Sequence, residues 1–165
     1  MLEILSVCHT VVVEDKKGRL SYNASSPDEL ALVNGAKYLG YDFKRRDDED
    51  NVIVENSYTK EEMHFKLLNV IEFNSTRKRM TVIVRNPDGK IVVMCKGADS
   101  IILPLLRSDS QHVDNTIRVL ENFSREGLRT LLLAQKEISE SEYAKWNQKY
   151  QQALIATFNR EEKVA

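Results

Sequence analysis

Apolar residues between positions 62 and 100 recur in three short runs, MHFKLLNVIEF, RMTVIVR and KIVVMCK, separated by polar connections. Runs of this length, rich in Val and Ile, predict strands. Asn86-Pro87-Asp88-Gly89 carries the Pro and Gly chemistry of a hairpin turn between two of them. Ile91-Val92-Val93-Met94-Cys95 is apolar at every position, which predicts a strand covered on both faces. Phe73 closes the first run, and Lys96-Gly97 close the last. A lysine at the end of a buried strand, followed by a residue without a side chain, can meet a ligand with both ammonium and backbone. It can equally mark the point where the chain surfaces and turns.

The same pattern reading extends to both sides. Leu2, Ile4, Leu5 and Val7 predict the end of an apolar helix, and residues 10–13 and 20–22 a short hairpin turning at Lys16-Lys17-Gly18. Ser25-Ser26-Pro27-Asp28-Glu29 announces a helix: Ser26 as N-cap, Pro27 in the first helical position, Glu29 closing a capping box. Its acidic first turn suits the helix dipole. Leu32, Ala36 and Leu39 form its expected apolar stripe, and Gly40 its stop. Residues 41–46 and 52–57 predict strands about an acidic turn, 47–50. Beyond Gly97 a short helix is expected from near Asp99 to near Arg107. A second carries Val113, Ile117, Leu120 and Phe123 and stops at Gly127. Residues 128–134 predict a strand. A second capping box at Ser139-Glu140-Ser141-Glu142 opens a helix with Tyr143, Trp146, Tyr150, Ala153 and Thr157 or Phe158 turned to a core, and the chain frays from Arg160. Strands joined by hairpin-length turns, with helices around them, predict an α+β domain: one antiparallel sheet flanked by helices.

Composition adds limits. The 165 residues form a single domain, 1–165, large enough for a core; 42% are hydrophobic and 30% charged. A net charge of −1 argues against general attraction to nucleic acid or anionic membrane. No run approaches the roughly 20 apolar residues of a membrane helix, and no signal-peptide pattern opens the chain. Cys8 and Cys95 lack metal-ligand spacing and make no disulfide framework. His9, His64 and His112 are scattered, and no metal site is expected. Asn23, Asn74 and Asn122 lie in glycosylation sequons that carry no weight without secretion. Arg77-Lys78-Arg79 is a basic cluster without the interleaved aromatics of an RNA-binding sheet, and reads as a solvated strand edge. Phosphate-binding, dinucleotide-binding, zinc-protease and serine-hydrolase motifs are missing.

Four sequence words occur in order: Ser26-Pro27-Asp28-Glu29, Glu72-Phe73-Asn74-Ser75 running into Arg77-Lys78-Arg79-Met80, Lys96-Gly97-Ala98-Asp99, and Gly127-Leu128-Arg129-Thr130-Leu131. Together they resemble the nucleotide-binding domain of P-type ATPases. Val7-Cys8-His9-Thr10 and the Glu142-Tyr143-Ala144-Lys145-Trp146 helix resemble the phospholipid-flippase branch. The resemblance covers essentially the whole chain.

It implies an ATP pocket on one side of the sheet. Phe73 would stack on the adenine and Glu29 accept from its amino group. Lys96 would line the floor, Gly97 and Ala98 would allow close approach, Arg129 would pair with phosphates, and Ser75 would add a hydroxyl. Each has a rival reading: Phe73 as core, Glu29 as a helix cap, Arg129 as a surface arginine. The family's D-K-T-G-T motif is missing, so the resemblance implies no catalytic residue here. The implied unit is a cytoplasmic domain of an integral membrane protein, with hinges near both ends. It would present the γ-phosphate to an Asp in a separate phosphorylation domain and would not turn over alone. Mg2+ would be bound mainly outside it. The implied partners are the phosphorylation and actuator domains of the same chain and an accessory subunit, with no nucleic acid and no direct membrane contact. A cation-transporting ATPase, a stand-alone regulatory nucleotide module and a nucleic-acid or protein-interaction domain stay open. The last would use Arg77-Lys78-Arg79 and leave Phe73 buried.

Overall fold

The computed structural model describes residues 1–16 and 19–155. The expected turn at Lys17-Gly18, Thr157, Phe158 and the stretch from Arg160 lie outside them. Six strands form one antiparallel sheet in simple sequence order: β3 (Tyr41–Arg46), β4 (Asn51–Asn56), β5 (Glu62–Ile71), β6 (Arg79–Arg85), β7 (Ile91–Gly97) and β8 (Leu132–Ile138). Strands β1 (Val12–Lys16) and β2 (Arg19–Asn23) make a separate hairpin. Helices α1 (Leu2–Val7), α2 (Pro27–Tyr38), α3 (Asp99–Ile102), α4 (Val113–Arg125) and α5 (Glu140–Leu154) complete the α+β arrangement.

Alternation explains why these strands share one core. Val52 and Val54 on β4, Val82 and Val84 on β6, and Val92 and Met94 on β7 face one side and pack with Ile4, Val7 and Cys8 of α1 and Val33 of α2. Each such side chain removes about 1.5–3 kcal/mol worth of apolar surface from water. Residues 80–84 are all buried, so β6 is covered on both faces. On the side chains of α5, Tyr143 donates to Asn69 Oδ1 (2.9 Å), at the bulge where β5 shifts register between Leu67 and Asn69.

The turn chemistry acts as expected at several places. Gly89, at φ 80°, closes the β6–β7 hairpin with its N–H on the Asn86 carbonyl. Gly127, at φ 75°, ends α4, and the Ser139–Glu142 capping box opens α5. Ser26 caps α2 by accepting from the Glu29 N–H.

Four local expectations are corrected. On α2 the buried positions are Glu29, Val33 and Ala36, and Leu39 is exposed. The helix settles one position away from its most apolar stripe, because Val33 meets α1 and the sheet. The last strand lies at Leu132–Ile138, not 128–134. Its register pairs Leu132 with Gly97, the end of β7, so residues 128–131 have no β7 residue to pair with. Phe73 lies two residues past β5, in the β5–β6 connection. The apolar stripes of α4 and α5 are only partly covered, with no fully buried residue on either helix.

Candidate functional site

The start of α2 and the end of β7 meet, although they are 67 residues apart in sequence. Lys96, about 9% exposed, donates from Nζ to Glu29 Oε1 at 3.0 Å, and Glu29 is equally buried. Glu29 Oε2 accepts from the Thr10 hydroxyl at 2.7 Å. Both carboxylate oxygens are thereby engaged away from the helix backbone, so the capping box expected here is only half made. Burial by itself would raise the Glu29 pKa. The Thr10 hydroxyl and Lys96 ammonium outweigh it and hold the carboxyl below its ordinary value. The site therefore presents an ionised, oriented carboxylate beside a buried cation.

Behind it, Cys8 and His9 are fully buried. His9 donates from Nε2 to the Ser6 carbonyl and accepts the Val11 N–H on Nδ1, which fixes a neutral ring. Burial pushes its pKa down to about 4, and pushes the Cys8 thiol up to about 12. Cys95, expected to be buried with its strand, is only half-buried. The Cys8 thiol is therefore not poised as a nucleophile.

A loop from Glu72 to Lys78 overhangs the same end of the sheet. Its tether is the Ala98 N–H, which donates to the Lys78 carbonyl at 3.0 Å. Phe73 projects from this loop and is 63% exposed, an unusual fate for a phenyl ring and the geometry that a stacking platform needs. Ser75 is exposed on the loop. Lys78, exposed and without an ion-pair partner among the described residues, adds a cation that the sequence reading passed over inside its basic triplet.

Gly97 has a reason of its own to be glycine. A Cβ there would stand 2.6 Å from Arg79 Cβ and 2.7 Å from the Lys78 carbonyl oxygen, so chain packing demands the glycine whatever it does for a ligand. Arg129 makes a two-pronged pair with Asp28 in the first turn of α2, at 3.0 and 2.8 Å. Its side chain stays largely exposed, and the aspartate holds its fork at the first turn of α2.

Arg77 contradicts the expectation of a solvated basic edge. It is 5% exposed, and its guanidinium points back into the loop. A domain that met nucleic acid through Arg77-Lys78-Arg79 needs Arg77 exposed and Phe73 buried; the reverse is found. Among the described residues, no group of three or more His, Cys, Asp or Glu side chains is placed to hold a metal ion. Nor does any described helix have the length and apolarity to cross a membrane. Two shallow concavities, of about 330 and 490 Å3, lie beside Tyr22 and Asp42 and at the start of α4. Neither is lined by Glu29, Lys96 or Phe73.

Comparison with known proteins shows the family of the chain. The family model described as P-type ATPase, cytoplasmic domain N, matches residues 1–164. A phospholipid-transporting ATPase of Saccharomyces cerevisiae, DRS2, is 49% identical over 99% of this chain and 12% of its own length. Phospholipid-transporting ATPase IC of Homo sapiens is 43% identical over 96% of the chain and 12% of its own. Phospholipid-transporting ATPase IK of Mus musculus is 43% identical over 95% of the chain. The chain thus spans about an eighth of the length of these relatives. With the family model covering nearly every residue, the chain belongs to the cytoplasmic N domain family of the P-type ATPases.

Proposed function

We propose that this domain binds ATP on the face bearing Glu29, Lys96 and Phe73, and presents the γ-phosphate to a catalytic Asp in a separate phosphorylation domain. The observation that carries the reading is the convergence of a buried, ionised Glu29 with Lys96 beside a loop whose phenyl ring is 63% exposed. An aromatic face offers a base a stacking surface worth about 1–3 kcal/mol. The Glu29 carboxylate accepts from an exocyclic amine and refuses a carbonyl base edge. Lys96, with Gly97 and Ala98 at the strand end, forms the floor. Arg129 exchanges Asp28 for phosphate oxygens, for which its planar fork is suited. Ser75 and Lys78 lie on the loop side of the same face. Magnesium, carried with the phosphates, is held mainly by the phosphorylation domain.

A face with few contacts binds weakly. A dissociation constant on the order of a millimolar, about 4 kcal/mol, is expected after the cost of immobilising the ligand. NMR titration of the 165-residue chain checks it: shifts should centre on residues 72–78 and 96–98, and GTP should bind several-fold more weakly than ATP. Absence of shifts at several millimolar ATP refutes the ATP site. Equal binding of GTP returns Glu29 to a structural role.

The longer protein to which such a domain belongs is read as a phospholipid-translocating ATPase, because the relatives at 42–49% identity are named phospholipid-transporting. Weak nucleotide binding suits a domain that must release ADP in each cycle. ATPase activity of the full-length protein, with an accessory subunit where one is required, should rise with a phospholipid such as phosphatidylserine. A response to cations with indifference to lipids would reassign it to the ion pumps.

A further inference from the structure

We infer that Arg77 is a positioning residue for the nucleotide face: its buried guanidinium holds the loop that carries Phe73 in the shape that exposes the ring. Buried arginines ordinarily face carboxylates, and this one faces backbone. Nη1 donates to the carbonyls of Ile71 (3.4 Å), Glu72 (3.1 Å) and Arg79 (3.4 Å), and Nη2 to the Thr81 hydroxyl (3.4 Å). Nε is buried with no hydrogen-bond partner among the described residues. A buried cation with an orphaned donor is poor design for stability alone. Its donors bridge both ends of the loop, just before Phe73 and just after Lys78.

The backbone of the loop shows the same constraint. The Arg77 N–H donates to Asn74 Oδ1 at 2.7 Å, and the Lys78 N–H to the Asn74 carbonyl at 2.8 Å. Lys78 is held at φ 50°, a left-handed conformation that non-glycine residues keep only where their surroundings enforce it. Arg77 supplies that enforcement from beneath, and the Ala98 N–H from the side. With residues 72–78 so clamped, Phe73 has no route back into the core and stays outside as a platform. Lysine cannot replace this arrangement, because its single ammonium has no second nitrogen to hold the Thr81 hydroxyl while the first serves the loop carbonyls.

This inference rests on the reading of Phe73 as the base platform, and the test separates the two. ATP and inorganic tripolyphosphate are titrated into the 165-residue chain and into F73A, R77K, and the F73A/R77K double variant, followed by NMR. F73A should weaken ATP about fivefold and leave tripolyphosphate unchanged, since only the base stacks. R77K should do the same, the double variant should be no weaker than F73A, and backbone shifts confined to residues 72–78 should move while sheet amides stay. Should R77K fail to fold, T81V removes only the hydroxyl at Nη2 and should give the same signature at about twofold. If F73A leaves ATP binding intact, the platform reading fails and the inference falls with it. If F73A weakens ATP while R77K or its substitute does not, weakens tripolyphosphate equally, or adds to F73A, Arg77 is structural only and the inference alone is overturned.

Discussion

Replacing Lys96 by Met removes the ammonium 3.0 Å from Glu29 Oε1 while keeping the apolar length of the side chain. At an effective dielectric of about 20, that separation corresponds to a gross attraction of roughly 5.5 kcal/mol, part of which only offsets the desolvation of two charges. The variant leaves Glu29 held by Thr10, through its hydroxyl and its backbone, in a position about 8% exposed. Breaking one side of a buried pair typically costs 3–5 kcal/mol, and the surviving Thr10 bond favours the lower end, about 3 kcal/mol at neutral pH. For a domain of this size that is a fall in Tm of about 6–12 °C. The pH dependence is the sharper check. In the native protein Glu29 is held below its ordinary pKa, so its contribution is present above about pH 4.5 and lost as pH falls through the depressed value. In the variant burial acts unopposed by Lys96, the pKa rises, and stability is lost as pH rises from the ordinary value through the raised one. The gap between the two proteins should therefore widen from about pH 4 to pH 7. Denaturant unfolding across that range, with the E29Q/K96M double variant recovering much of the loss, is the assay. A cost under about 1 kcal/mol at pH 7, or one that does not change with pH, would refute the buried-pair account.

Other outcomes follow from the same geometry. His9, neutral and held near pKa 4, refuses a proton that the unfolded chain accepts near 6.5; native stability should fall by about 3 kcal/mol as pH drops between those values, and His9→Gln should flatten that slope in urea unfolding at its upper end, before the carboxylates titrate. Gly97→Ala should cost about 1–3 kcal/mol, since its Cβ meets backbone and Cβ atoms of β6 that cannot swing aside, and a melting curve within 1 °C of the parent's, with the ΔΔG-to-Tm conversion for a domain of this size, would exclude the clash. Arg129→Ala, losing an exposed pair, should change unfolding free energy by less than about 1 kcal/mol yet weaken tripolyphosphate binding measured by NMR; no loss of affinity would remove Arg129 from the site.

Features written within a few neighbouring residues were legible in the sequence. The Ser26 cap with Pro27 behind it, the Asn86–Gly89 turn, the capping box at Ser139 and the glycine stop at Gly127 each depend on hydrogen bonds closed over three or four residues, which no distant contact overrides. The antiparallel order of β3 to β7 followed from connections too short to cross the sheet. The ordered motif words were equally local, and they identified the family before any geometry was known.

What only the tertiary structure decided is where each side chain spends its polar groups. Glu29 reads as a capping-box residue by spacing, yet its carboxylate turns to Thr10 and Lys96, because the segment after α1 and the end of β7 bring better partners than the helix backbone. Arg77 reads as surface beside Lys78 and Arg79, yet it is buried, because the loop folds over it and offers three carbonyls that no sequence pattern reveals. The last strand moved by four residues because its register answers to the end of β7, not to its own hydrophobicity. Phe73 was assigned to a strand end and sits exposed beyond it, on a loop held from beneath by its neighbour four residues on. Short-range chemistry is fixed by the order of residues; the environment of an ionisable or aromatic group is set by elements dozens of residues away, and those meet only when the chain has folded.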